Sequence, residues 1–356
     1  MRSGAPIERI VVRGTNWIGD AVISVPALRE LSRLFPEAEI VLHTKDSVEG
    51  LFEDVDFIDR ILPFEKRSSR IKQTVAQADI LCDNEFDLAI LFPNSFESAL
   101  TTSLARIPRR IGYNKDLRGL LLTEPVAVPE WKDKRHEVYY YLNLIAEVER
   151  RFLGTSTVGG FNPDISLSIS KERQQKARQR LQHSGIDLSK PIVAIGAGST
   201  NSMAKRWGTS NFSGLAERLH NEFEAQLFLV GASSEADVAY EIKKTVSFPL
   251  LDLTGTTNIA EAAAILSVAD LLISNDMGLA HVAPAVGTRT AVIFGPTNPV
   301  TTRPFSDQAV VIRHDVECSP CMLRECPIDH RCMTGVSVER VLDACRSLLV
   351  EPLPTE

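Results

Sequence analysis

Short apolar runs separated by amphipathic stretches set the rhythm of this chain. Ile10-Val11-Val12 is a β-branched run that predicts a first strand. A glycine-bracketed loop at 14–20 follows. Leu28, Leu31, Leu34 and Phe35 then recur at helical spacing behind Ser24 and Pro26, a proline tolerated in a first helical turn. Residues 40–43, 58–62 and 88–92 predict further strands. Helices are predicted up to Leu51, over 69–83 and from Ser95 to Ala105. Strands alternating with helices imply a parallel, doubly wound α/β sheet. The alternation stops at 154–168, where Gly154, Gly159, Gly160, Asn162, Pro163 and Asp164 gather without periodicity. It then restarts, with strands at 192–195, 227–230, 250–253, 271–273 and 291–294 and helices over 211–223, 234–246 and 258–268. The predicted division is 1–160 and 161–356, two Rossmann-like domains facing each other across a cleft, where a ligand between domains is expected.

Composition narrows the class. At 356 residues, 44% hydrophobic and 24% charged, the chain has the balance of a soluble protein with two full cores. No run approaches the roughly 20 apolar residues of a membrane span. Residues 1–6 carry no apolar export signal, so a cytoplasmic protein is expected. A net charge of −7 argues against nucleic acid as partner. Against that acidic background Arg106, Arg109, Arg110, Lys115 and Arg118, joined by Lys132, Lys134 and Arg135, form a basic cluster. It is either a solvated face or a surface for an anionic acceptor or a membrane.

The chemistry is expected where apolar strands run into polar loops. Leu271-Leu272-Ile273 leads into Ser274-Asn275-Asp276-Met277-Gly278-Leu279-Ala280-His281, a strand end, a glycine and a helix start. That arrangement offers free N–H groups to a phosphate at the carboxyl edge of a sheet. Gly196-Ala197-Gly198-Ser199-Thr200, followed by Lys205-Arg206-Trp207, leaves a second strand of the same sheet and suits the same anion. In the first half, Asp20 closes the 14–20 loop, as a helix cap or as a base poised to take a proton from a hydroxyl. The spacing there is not GxGxxG, which disfavours a nicotinamide site. Cys318, Cys321, Cys326 and Cys332 crowd one short stretch, either as buried thiols or as ligands of a structural zinc, an iron–sulfur centre fitting less well.

Taken together, Asn16-Trp17-Ile18-Gly19-Asp20-Ala21-Val22, Lys205-Arg206-Trp207, the 274–281 motif, Phe294-Gly295-Pro296-Thr297 and the cysteine stretch resemble the ADP-heptose:lipopolysaccharide heptosyltransferases of glycosyltransferase family 9. The type II pattern, adding the second inner-core heptose, is the one most resembled. The resemblance implies a GT-B fold, with the acceptor on the first domain, the nucleotide sugar on the second and the last helix packing back on the first. It implies inverting transfer with no metal required, from ADP-heptose to a Kdo2-lipid A-type acceptor carrying heptose, at the inner face of the inner membrane. By position it implies Asp20 as base and Lys205 as the cation at the donor diphosphate. Ser199, Thr200, Gly278, Leu279 and His281 would line the donor, and Asp276 would read the heptose hydroxyls. Arg109, Arg110 and Lys115 are the acceptor-binding candidates. Met277 departs from relatives that carry threonine there, and Glu235 is the candidate for the donor's ribose. A type I enzyme, another GT-B nucleotide-sugar enzyme and a metal-binding scaffold built on the cysteines are the alternatives.

Overall fold

A computed structural model describes residues 6–65, 69–160, 162–200 and 202–350. Residues 1–5, part of the stretch in which no export signal is expected, lie outside them. The chain divides into two units, Met1–Ile165 and Ser166–Glu356.

The first unit is a six-stranded sheet built from β1 (Arg9–Arg13), β2 (Glu39–Lys45), β3 (Arg60–Phe64), β4 (Leu88–Leu91), β5 (Arg109–Tyr113) and β6 (Glu124–Val126). Its order is β3-β2-β1-β4-β5-β6, with every neighbouring pair parallel. The second unit contains β7 (Ile192–Gly196), β8 (Gln226–Leu229), β9 (Leu251–Asp252), β10 (Leu271–Asn275), β11 (Arg289–Phe294) and β12 (Ala309–Arg313), ordered β12-β11-β10-β7-β8-β9. All of these pairs are parallel too.

The central strands are buried from end to end, as covering both faces with helices demands. Their continuous apolar runs are what made them readable. Edge strands differ. In β6, Pro125 pairs with Gly112, and its missing N–H is tolerated because among the described residues no strand lies beyond. β5 begins with two arginines, so its apolar content starts only at Ile111. Neither strand was expected from the sequence, nor was β12. The third strand was expected at 58–62 but starts later, because the Asp59 carboxylate takes the Ile40 N–H at 2.7 Å as a lead-in turn. The last helix, Val338–Val350, buries Val341, Leu342 and Cys345 in the core built on β7, β8, β10 and β11.

The first unit closes on a carboxylate. Glu149, inaccessible to solvent, accepts from Thr155 Oγ1 (2.8 Å), Thr157 N (2.7 Å), Thr157 Oγ1 (2.8 Å) and Val158 N (2.9 Å). Burial alone would raise its pKa, but these hydrogen bonds outweigh burial and hold it at about 2. A depressed carboxylate pKa stabilises the fold above its unfolded value and stops doing so as pH falls through the folded one. Glu149→Gln should therefore lower unfolding stability by about 1–3 kcal/mol at neutral pH. The deficit should narrow as pH falls from about 5 toward the folded pKa. Denaturant titrations across that range check this; a deficit that stays constant with pH would contradict it.

Candidate active site

In the second unit the strand order turns back between β7 and β10, and the loops leaving their carboxyl ends part in opposite directions. Such a switch point opens a crevice for a ligand. Gly196, ending β7, pairs with Ser274 on β10. A Cβ on Gly196 would stand 2.9 Å from the Ser274 Cβ and 3.2 Å from the Met277 sulfur, so only glycine permits this approach.

Asn275 ties the crevice together. Fully buried at the end of β10, it donates from Nδ2 to the carbonyls of Ala197 (2.7 Å) and Gly198 (3.1 Å). Its Oδ1 accepts from the Trp207 N–H at 3.1 Å. One amide thus fixes the loop after β7 and the end of the Lys205-Arg206-Trp207 stretch. The Trp207 indole, itself buried, donates to the Val336 carbonyl at 2.7 Å and meets Phe212 edge-on.

Lys205 ends a single 3₁₀ turn, Met203–Lys205, and its Nζ lies 2.7 Å from Asp276 Oδ2. Thr297 Oγ1 donates to the same oxygen at 2.7 Å. Both partners therefore converge on Oδ2, and among the described residues Oδ1 takes no hydrogen bond, which leaves an acceptor for a ligand hydroxyl. Helix Gly278–Ala285 starts beside it, capped by Met277 with no side-chain hydrogen bond. The N–H groups of Gly278 and Leu279 open that helix, where no intrahelical acceptor exists for them. His281 lies buried one turn further in.

Glu235 completes this edge. Its buried carboxylate accepts from the Ala232 N–H (2.9 Å) and from Thr200 Oγ1 (3.2 Å). A Cβ on Gly198 would fall 2.1 Å from the Glu235 carboxyl carbon, which is why the loop needs glycine there. Ser199 is buried beside it, its carbonyl accepting from Arg206 Nη2 at 3.3 Å. Lys205, Asp276, Thr297, Gly278, Leu279, Ser199, Thr200 and Glu235 thus all belong to loops at the carboxyl edge of one sheet. Sequence reasoning quoted Thr297 and Asn275 within motifs but missed the role of each. A polar side chain ending a fully apolar strand was the available signal for the latter.

In the first unit the switch point lies between β1 and β4. Asp20 stands in the first turn of helix Ile18–Ile23, at the end of the loop that leaves β1, while Trp17 occupies the cap. The sequence left Asp20 as cap or base; the cap position belongs to Trp17. Burial raises the nearby Tyr141 hydroxyl well above its ordinary pKa, and the negative charge of Asp20 adds to that. Behind the loop, buried Arg13 donates to the carbonyls of Gly14 (3.1 Å) and His43 (3.3 Å) and stacks over Phe64. Burial lowers its pKa to about 10. Burial first, and then the Arg13 charge, lowers His43 to about 4, so its ring is neutral.

The basic cluster does not act as one surface. Arg109 and Arg110 begin β5, at the amino edge of a parallel sheet and away from the ligand edge. Arg110 donates to the carbonyls of Leu121 and Ile107, and Arg109 stacks on Phe152. Their place at the amino edge and these contacts do not favour the acceptor-binding role expected of the two. Arg118 is fully buried, donating to the carbonyls of Tyr113 (2.7 Å) and Pro93. Lys115 is exposed just past the carboxyl end of β5.

Among the described residues, no three His, Cys, Asp or Glu side chains are placed to hold a metal ion. Cys332 is buried, Cys318 is exposed and Cys321 and Cys326 are intermediate; burial raises the pKa of the Cys332 thiol, and the charges of Cys318, Cys321 and Cys326 add to that.

The profile of glycosyltransferase family 9 (heptosyltransferase) matches residues 75–331. The chain is 25% identical to lipooligosaccharide heptosyltransferase 2 of Campylobacter jejuni, over 96% of this chain and 98% of that one. It is 26% identical to lipopolysaccharide heptosyltransferase 2 of Salmonella typhimurium, over 96% and 99%. The solved structure of the Escherichia coli ADP-heptose LPS heptosyltransferase II superposes with a TM-score of 0.81 at 24% identity, covering 97% of this chain and 99% of that one.

Asn275→Ala would leave the Ala197 and Gly198 carbonyls and the Trp207 N–H without their partner. It should cost about 2–4 kcal/mol of stability, read by denaturant unfolding. Loss under about 0.5 kcal/mol, the scale of an ordinary surface substitution, would contradict the tie.

Proposed function

We infer the reaction from one premise: the chain belongs to glycosyltransferase family 9 (heptosyltransferase), and it is a glycosyltransferase. The observation that carries the finer reading is the Lys205–Asp276–Thr297 cluster beside the start of helix Gly278–Ala285. A cation and free helix N–H groups suit a diphosphate, and the open Oδ1 of Asp276 suits a sugar hydroxyl next to it. The proposed donor is ADP-heptose, with Glu235 at the ribose and Ser199 and Thr200 at the phosphates.

The proposed reaction is a single displacement with inversion. The acceptor hydroxyl oxygen attacks the anomeric carbon, and the bond from that carbon to the diphosphate oxygen breaks. Asp20 takes the hydroxyl proton, and ADP leaves with its negative charge held by Lys205 and the helix start. Near full-length similarity to heptosyltransferases 2 supports a type II acceptor, a Kdo2-lipid A-type core already carrying one heptose. Lys115, at the ligand edge of the first sheet, is the cation proposed to meet it. Among the described residues no helix is long and apolar enough to cross a membrane. A lipid-borne acceptor supports work at the surface of the inner membrane, on its cytoplasmic face.

Release of ADP from ADP-heptose is the test, with and without acceptor carrying one heptose. Release that depends on that acceptor, and is weak with heptose-free Kdo2-lipid A, is the expected result. Release with the heptose-free acceptor alone would make the enzyme type I. Asp20→Asn should lower turnover about 10²–10⁴-fold with ADP affinity nearly unchanged. Turnover within a few-fold of wild type would remove Asp20 as the base.

A further inference from the structure

The cysteine-rich stretch 318–332 is joined to the turn that carries Lys205. That turn, Met203–Lys205, is one 3₁₀ turn between loops, and among the described residues its own closing contacts are Lys205 N to the Ser202 carbonyl at 3.3 Å and Arg206 N to the Met203 carbonyl at 3.1 Å. A lone turn of this length does not hold itself. Its middle residue, Ala204, is buried, and both of its backbone groups are taken by the cysteine stretch. The Ala204 N–H donates to the Arg324 carbonyl at 2.9 Å. The Ala204 carbonyl lies 2.6 Å from His330 Nε2, and since a carbonyl only accepts, the ring donates. Ser202 Oγ also donates to the Arg324 carbonyl at 3.2 Å.

The stretch is itself fastened to the opposite wall of the crevice. Ser319 Oγ donates to the Gly295 carbonyl at 2.6 Å and Met322 N to the Pro296 carbonyl at 2.8 Å. A Cβ on Gly295 would come within 2.3 Å of the Met333 sulfur and 3.2 Å of the Cys332 sulfur. Gly295 and Pro296 directly precede Thr297, the residue that orients Asp276. The stretch therefore spans the two segments whose side chains, Lys205 and Thr297, meet on Asp276 Oδ2.

We propose that residues 318–332 are a brace for the donor site, and that His330 is a positioning residue that holds the Lys205 turn through the Ala204 carbonyl. His330 suits this role geometrically: it occupies a left-handed backbone conformation, φ 57°, as the cap of helix Arg331–Thr334. A non-glycine residue is kept in that conformation only when its surroundings impose it. The inference rests on the reading of Lys205 as the diphosphate cation. It adds that Lys205's placement is set from outside its own segment, by a stretch that need not touch the nucleotide.

Two measurements on the full chain test it: hydrogen exchange of peptides spanning 202–207, and ADP affinity by calorimetry. His330→Ala should speed exchange over 202–207 while core strands β7 and β10 keep their protection, which also reports that the variant is folded. It should weaken ADP binding about five- to tenfold, the loss of one hydrogen bond's net worth. His330→Gln, which keeps a side-chain N–H donor, should restore affinity to within about twofold. In a Lys205→Ala background, already weakened for ADP, His330→Ala should add nothing further. Unchanged exchange at 202–207 in His330→Ala would overturn the brace whatever the nucleotide does. Faster exchange with wild-type ADP affinity, while Lys205→Ala binds weakly, would reduce His330 to a structural tie and overturn its positioning role. If Lys205→Ala itself bound ADP as wild type does, the phosphate reading of Lys205 would fall, and the positioning role with it.

Discussion

Everything in the second unit's ligand edge depends on keeping two loops apart at their tips and fixed at their bases. The side-chain amide of Asn275 does the fixing. It is buried, so its three hydrogen bonds are made in a low-dielectric setting where an unmade one is costly. With the loop bases held, the residues at the tips face one another. Lys205 and Thr297, from segments far apart in sequence, then meet on one carboxylate oxygen. That leaves Asp276 oriented and only half used.

On the proposed reading, this economy lets one small cluster serve two parts of a nucleotide sugar. The cationic Lys205 and the helix start at Gly278 are suited to the diphosphate. The second oxygen of Asp276 is suited to the sugar hydroxyls beside it. Thr297 contributes by holding the carboxylate plane. The glycines are equally constrained: Gly196 by the close passage of Ser274 and Met277, Gly198 by the Glu235 carboxylate. In the first unit the corresponding switch point is occupied by the loop that ends at Asp20, underpinned by a buried arginine and a neutral histidine.

The sequence was most legible where burial is two-sided. β1, β2, β4, β7, β10 and β11 announce themselves as unbroken apolar runs, and the loops that follow four of them carry Asp20, Ser199, Asp276 and Thr297. It was least legible where local composition and tertiary environment disagree. β5 opens with Arg109 and Arg110, whose charge suggested a surface for an anion. Strand direction puts them at the amino edge, and backbone carbonyls occupy Arg110. Arg118 belongs to the same run of charges but is fully buried. No periodicity announces that. The hydrogen bonds that tie the cysteine stretch to Ala204, Gly295 and Pro296 are likewise not encoded in its spacing.

The most direct test of this account is the affinity of Asp276→Asn for ADP-heptose compared with its affinity for ADP, both by calorimetry. Asparagine keeps the shape but presents an amide in place of one carboxylate oxygen. If Asp276 Oδ1 receives the sugar while Lys205 receives the diphosphate, the variant should lose affinity for ADP-heptose by at least about tenfold more than for ADP. Equal weakening toward both ligands would contradict the division of labour on which the account rests.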